Sequence, residues 1–166
     1  MYKDASELMS QCKEQNKRIW QIAVENEMKL TSSSYEDILS RFDDRLEIMF
    51  HSAQKALNAK QATKGGLIDG VAKTQYDYSK NENISGEYIN YVMSLAYSCS
   101  EVNASMGKIC ASPTAGSCGI VPAVLLGLSQ AKNISREKTL EGLITASAVG
   151  AIYTKNATVA GADGGC

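Results

Sequence analysis

A chain of 166 residues, 44% hydrophobic and 21% charged, with a formal net charge of −1, has the size of one domain and enough apolar material for a core. That charge balance gives no electrostatic reason to expect nucleic acid or an anionic membrane as partner. Residues Met1 to Glu7 contain no apolar signal-peptide core, and the longest apolar-rich stretches, 118–128 and 143–153, are broken by Gly, Pro or Ser before reaching the roughly 20 residues that cross a bilayer. A cytoplasmic protein is the expectation.

Residues 1–60 are rich in charge and read as a helical hairpin. Leu8, Cys12, Ile19, Ile22, Ala23 and Met28 recur at roughly helical spacing and predict a helix near 5–29. Thr31 to Ser34 supply loop and N-cap chemistry, with Glu36 and Asp37 in the first turn of a second helix. Ile38, Leu39, Phe42, Leu46, Met49, Phe50, Ala53 and Leu57 give that helix its apolar face, which is expected to end near Asn58.

Residues 61–85 form a connection with Gly65, Gly66 and Gly70 and no clear period, a loop with room for one short helix. Residues 86–166 are dominated by small side chains. Helices are predicted near 86–107, 119–131 and 136–152, the last with Ser135 as its N-cap. No alternating run is bounded by hairpin turns, so the fold class is all-α. The chain closes on Gly161-Ala162-Asp163-Gly164-Gly165-Cys166 with no closing helix, which suggests a fragment cut on its C-terminal side.

The five cysteines (Cys12, Cys99, Cys110, Cys118 and Cys166) are odd in number, irregularly spaced and without a CxxC pair. This excludes a disulfide framework and a zinc ribbon as readings. His51, the single histidine, has no carboxylate or cysteine at ligand spacing and reads as a surface or packing residue. Lys108 beside the central loop reads as a solvated lysine.

The segment with most chemistry is Asn103 to Ala123. Between Thr114 and Gly119, two glycines and small side chains allow successive amides to converge just ahead of a predicted helix, which would suit a single carboxylate. Thr114 and Ser117 offer hydroxyls there. The absence of GxxxxGK[ST] excludes a P-loop. The same small residues would equally serve a tight turn between packed helices. A second segment, Lys155 to Cys166, ends in a cysteine after two glycines, on backbone open enough for a metal or cluster ligand, or for a terminal residue with no role.

Asn103–Ala123 resembles the signature of iron–sulfur L-serine dehydratases, close to NASMGxIxAxPTAGSxGIxPxxL. Lys155–Cys166 resembles that family's KNAxxxGAxGGC segment, and the N-terminal stretch resembles the start of its α subunit. The connection Lys64-Gly65-Gly66-Leu67-Ile68-Asp69-Gly70-Val71-Ala72 matches the family's SGLTGGDA only in part. The resemblance implies a lyase, an L-serine ammonia-lyase that converts L-serine to pyruvate and ammonia, and a helical catalytic domain of which this chain is the N-terminal part. It implies a [4Fe–4S] cluster held by three cysteines, with Cys166 as one ligand and the others beyond this chain. It implies that Thr114, Ala115, Gly116 and Ser117 hold the substrate carboxylate, and that a separate β subunit is the partner. Cys12, Cys99, Cys110 and Cys118 match no ligand position; Cys118, inside the turn, reads as small and structural. Two other readings stay open: a catalytically inactive helical domain that serves binding or assembly, and a small-anion module built on the 114–119 turn alone. Helices missing from the C-terminal side would leave apolar surface exposed.

Overall fold

The computed structural model describes residues 2–157. Among them there are seven helices and no strand: α1 Ala5–Glu14, α2 Ile19–Thr31, α3 Tyr35–Asn58, α4 Val71–Ser79, α5 Glu87–Ala104, α6 Ile120–Ala131 and α7 Arg136–Asn156. The fold is all-α, as expected.

The helix expected over 5–29 is two helices. Asp4 caps α1 by accepting the Glu7 amide at 2.9 Å. The helix then stops because Asn16 turns left-handed (φ 50°) and the Lys17 amide reaches back to the Cys12 carbonyl at 2.9 Å. This is a Schellman closure with asparagine in the place glycine usually takes. Two more helices end the same way. After α5, Met106 has φ 62° and the Gly107 amide bonds the Val102 carbonyl at 2.8 Å. After α6, Asn133 has φ 53° and the Ile134 amide bonds the Ser129 carbonyl at 2.9 Å.

The starts follow the expected capping chemistry. Ser34 Oγ accepts the Asp37 amide at 3.1 Å, and Asp37 accepts the Ser34 amide in return. Ser135 Oγ accepts the Lys138 amide at 3.3 Å at the start of α7. The connection holds one short helix, α4.

The chain divides into two compact units, each with its own core. Of the described residues, one takes 2–44 together with 140–157; the other is Arg45–Thr139. In the first, Leu8, Ile22, Val24, Ile38, Leu143 and Ile144 are buried, and Lys155 Nζ donates to the Tyr2 carbonyl at 3.2 Å. In the second, α5 packs against α4 and α6. Its core joins Ala53, Leu57, Leu95, Cys99, Cys118, Ala123 and Leu126. Burial of such side chains contributes roughly 1.5–3 kcal/mol for each large one.

Candidate functional site

The 114–117 segment lies in the second unit, in the loop between α5 and α6. Small residues let this loop lie close to α5. A Cβ on Gly119 would fall 2.6 Å from the Ala96 carbonyl oxygen, and one on Gly107 would fall 2.7 Å from a Val102 methyl. The sequence reading of a tight turn between packed helices therefore describes Gly119 well. The helix expected to follow begins at Ile120.

Thr114 and Ser117 close the loop on itself. The Ser117 amide donates to Thr114 Oγ1 at 3.2 Å, and the Thr114 amide donates to Ser117 Oγ at 3.3 Å. The two hydroxyl oxygens lie 3.0 Å apart, and Ser117 Oγ also lies 3.0 Å from the Ser112 carbonyl, which accepts its proton. A hydroxyl has one proton to give. The Ser117 hydroxyl is thus committed inside the loop, where the sequence alone suggested a donor to a ligand. Asn103, from the last turn of α5, fastens the loop by donating Nδ2–H to the Ala115 carbonyl at 3.1 Å.

What the loop leaves open is backbone. Ala115 and Gly116 are exposed, and among the described residues their amides have no acceptor. From Ile109 through Ala131 there is no charged side chain, so no carboxylate of this segment opposes an anion there. Two adjacent free amides beside an uncharged wall can take one carboxylate.

A buried carboxylate two residues before Asn103 on α5 was not evident from sequence. Glu101 is fully buried on α5, and its carboxylate accepts the amides of Gln61 at 2.7 Å, Gly70 at 2.9 Å and Ala72 at 3.1 Å. It staples the partly matching connection to the end of α5. The Lys64 amide adds a bond to the Ala104 carbonyl at 3.0 Å, and Thr63 donates both its amide and its hydroxyl to Asp69. The Thr63 hydroxyl, more than any other group, holds the Asp69 carboxyl below its usual range. A signal for Glu101 does exist: it is the only charged residue between Glu87 and Lys108. It also sits near a helix C-terminus, where the dipole disfavours an anion, so a buried partner had to be compensating it.

Among the described cysteines, Cys12, Cys99 and Cys118 are buried and Cys110 is partly buried. Cys99 and Cys118 are buried in the second core, with Cys118 Sγ 3.9 Å from the Cys99 carbonyl. Burial pushes the Cys99 thiol up to about 11 and raises Cys118 as well. Cys110 is half-buried with Sγ 3.7 Å from the Arg45 carbonyl, and burial raises it too. Among the described residues no group of three or more His, Cys, Asp or Glu side chains could hold a metal ion. The described residues by themselves therefore do not bring together the three thiolates of an iron–sulfur cluster. Cys166 lies outside the described residues. His51 and Lys108 are exposed.

Lys155, the first residue of the second motif, lies in the first unit, on a cavity of about 240 Å³ whose other walls include Tyr2, Phe42, Ile144 and Ala148. No helix among the described residues is long and apolar enough to cross a membrane.

Comparison with known proteins gives one consistent outcome. The family model described as serine dehydratase alpha chain matches residues 14–166. The L-serine dehydratase alpha chain of Peptoniphilus asaccharolyticus is 40% identical over 167 residues, covering 100% of this chain and 57% of the relative. The probable L-serine dehydratase alpha chain of Bacillus subtilis (strain 168) is 36% identical, covering 100% and 55%. L-serine dehydratase 1 of Escherichia coli (strain K12) is 29% identical, covering 99% and 37%. No solved structure matches the chain. The chain thus spans little more than half the length of its two most similar relatives named here.

Proposed function

The chain belongs to the serine dehydratase α-chain family, and from that premise we propose that it is the carboxylate-binding part of an L-serine ammonia-lyase, the enzyme that converts L-serine to pyruvate and ammonia. The observation that carries this reading is the Thr114–Ser117 loop. It is closed by its own hydroxyls, tied to α5 by Asn103, and leaves the Ala115 and Gly116 amides free. Pre-organised amides of this kind bind a carboxylate without reordering the loop.

In this reading Ala115 and Gly116 supply the donors. Thr114 and Ser117 hold those donors in place, and Asn103 fixes the loop against the helix. Glu101 positions the neighbouring connection through three backbone amides. A cytoplasmic location belongs to the same proposal, and so does assembly with a separate β subunit, which the alpha-chain names of the relatives favour.

A [4Fe–4S] cluster, where present, supplies a Lewis acid for the departing hydroxyl group. Cys166 is the residue of this chain proposed to contribute to it, with the other thiolates coming from outside these 166 residues.

The test is made on the complete enzyme carrying this sequence, with pyruvate formation as the readout. Ser117→Ala removes the brace while leaving every amide in place. It is expected to raise KM for L-serine by about 10-fold, or about 1.4 kcal/mol, because the Ala115 and Gly116 amides are no longer held ready for the carboxylate. A KM unchanged in both Ser117→Ala and Asn103→Ala would remove the loop from the substrate site.

A further inference from the structure

Two neighbouring helices of the second unit turn an uncharged side to solvent. α5 has no charged residue between Glu87 and Glu101, and α6 has none at all. On α5, Ile89, Met93 and Tyr97 recur four apart and are 38–49% exposed; on α6, Ile120, Val124 and Leu128 do the same at 39–63%.

These six residues form one face. The helices run antiparallel, because Tyr91 donates to Gln130 at 2.7 Å while Gly127 lies against Val92 and Gly119 against Ala96. Met93 follows the contact residue Val92 by one position, and Val124 follows the buried Ala123 by one. In an α-helix that step is about 100° in a fixed sense. In an antiparallel pair the same sense on both helices leads to the same side. The result is an apolar strip about 12 Å long, from eight residues at about 1.5 Å each.

Size and chemistry select the occupant. At about 150–200 Å² for each large side chain, the six present on the order of 500 Å². A stable interface between separate proteins needs about 800 Å² from each partner, with a polar rim. This strip is smaller and has no charged rim on its two helices. It matches one apolar helix that is already tethered and bears no cost of association. The relatives supply such a tether: the Peptoniphilus asaccharolyticus chain has about two-fifths of its length with no counterpart here.

We propose that this α5–α6 face seats an apolar helix from the part of the α chain that the longer relatives carry and these 166 residues do not hold. The inference rests on membership of the family, and not on the reaction proposed above.

The test joins the 166-residue chain, as one polypeptide, to the portion of the Peptoniphilus asaccharolyticus relative that has no counterpart in it, and compares this joined chain with the 166-residue chain alone. Val124→Cys and Ile84→Cys are made in both, and alkylation of each new cysteine is followed by mass spectrometry of its peptide. Ile84 lies in the loop before α5 and is fully exposed, so Ile84→Cys is the control. The cysteine of Val124→Cys is expected to react at least 10-fold more slowly in the joined chain, while that of Ile84→Cys reacts equally in both. Adding Met93→Lys to the joined Val124→Cys chain is expected to restore its reactivity, with helix content by circular dichroism unchanged. Equal reactivity of Val124→Cys in the two chains, equal protection at both cysteines, or protection already present in the 166-residue chain through a dimer would overturn the proposal. None of these results depends on pyruvate formation.

Discussion

The Glu101 carboxylate accepts the Gly70 amide at 2.9 Å across 31 positions of sequence, and the same oxygen also takes the Gln61 amide at 2.7 Å. Two donors on one oxygen and a third, from Ala72, on the other make this side chain the staple of the connection. Glu101→Gln presents an NH₂ where an acceptor is required and leaves at least one buried amide unpaired. We expect a loss of about 2–4 kcal/mol in unfolding free energy by urea titration. A change below about 0.5 kcal/mol would show that the three bonds contribute little.

Gly119 and Gly150 make a matched pair. A Cβ at Gly119 meets the Ala96 carbonyl oxygen at 2.6 Å, a backbone atom that cannot swing away; at Gly150, inside α7, it meets nothing within 4 Å. Gly119→Ala should cost about 1–3 kcal/mol through overpacking. Gly150→Ala should add about 0.5–1 kcal/mol through helix propensity. Thermal melts of both variants against wild type check the opposite signs.

Met106 holds a left-handed backbone (φ 62°) while its side chain is 76% exposed. It has neither the freedom of glycine nor the local hydrogen bonds of asparagine. Met106→Gly should raise stability by about 0.5–1 kcal/mol, offset in part by the added freedom of the unfolded chain. A lower melting temperature for Met106→Gly would show that the exposed side chain makes a stabilising contact.

The buried Cys99 thiol predicts a loss of stability in alkali. Its pKa rises from an ordinary 9.0 to about 11 because burial disfavours the thiolate. The unfolded chain therefore releases this proton near pH 9, while the folded chain keeps it until near pH 11. Between those values the unfolded state binds fewer protons, so stability falls as pH rises; below pH 9 the contribution is fully present. Cys99→Ala should be less stable at pH 7 but flatter from pH 9 to 11 in urea titrations. Parallel slopes for the two proteins would contradict the assignment.

Much of the fold was legible in the residues. Apolar spacing and caps located α3, α5, α6 and α7 within a few positions, since both signals act within one or two turns of chain. The break at Asn16 was legible in principle, but the apolar period runs on across it and concealed a stop carried by an asparagine. In the site, the motif residues Thr114 to Ser117 stood out by their small size. That their hydroxyls bind each other is a matter of loop geometry, which spacing does not contain.

The sequence by itself determined most of the helices, the all-α class and the kinship with serine dehydratase α chains, because helical period, caps and an ordered motif are properties of neighbouring residues. Only the tertiary structure decided which carboxylate holds the connection, which glycine admits a carbonyl, and which apolar stripes of α5 and α6 share one open side. Those depend on pairings across tens of residues, where packing and the need to satisfy buried amides choose the partner.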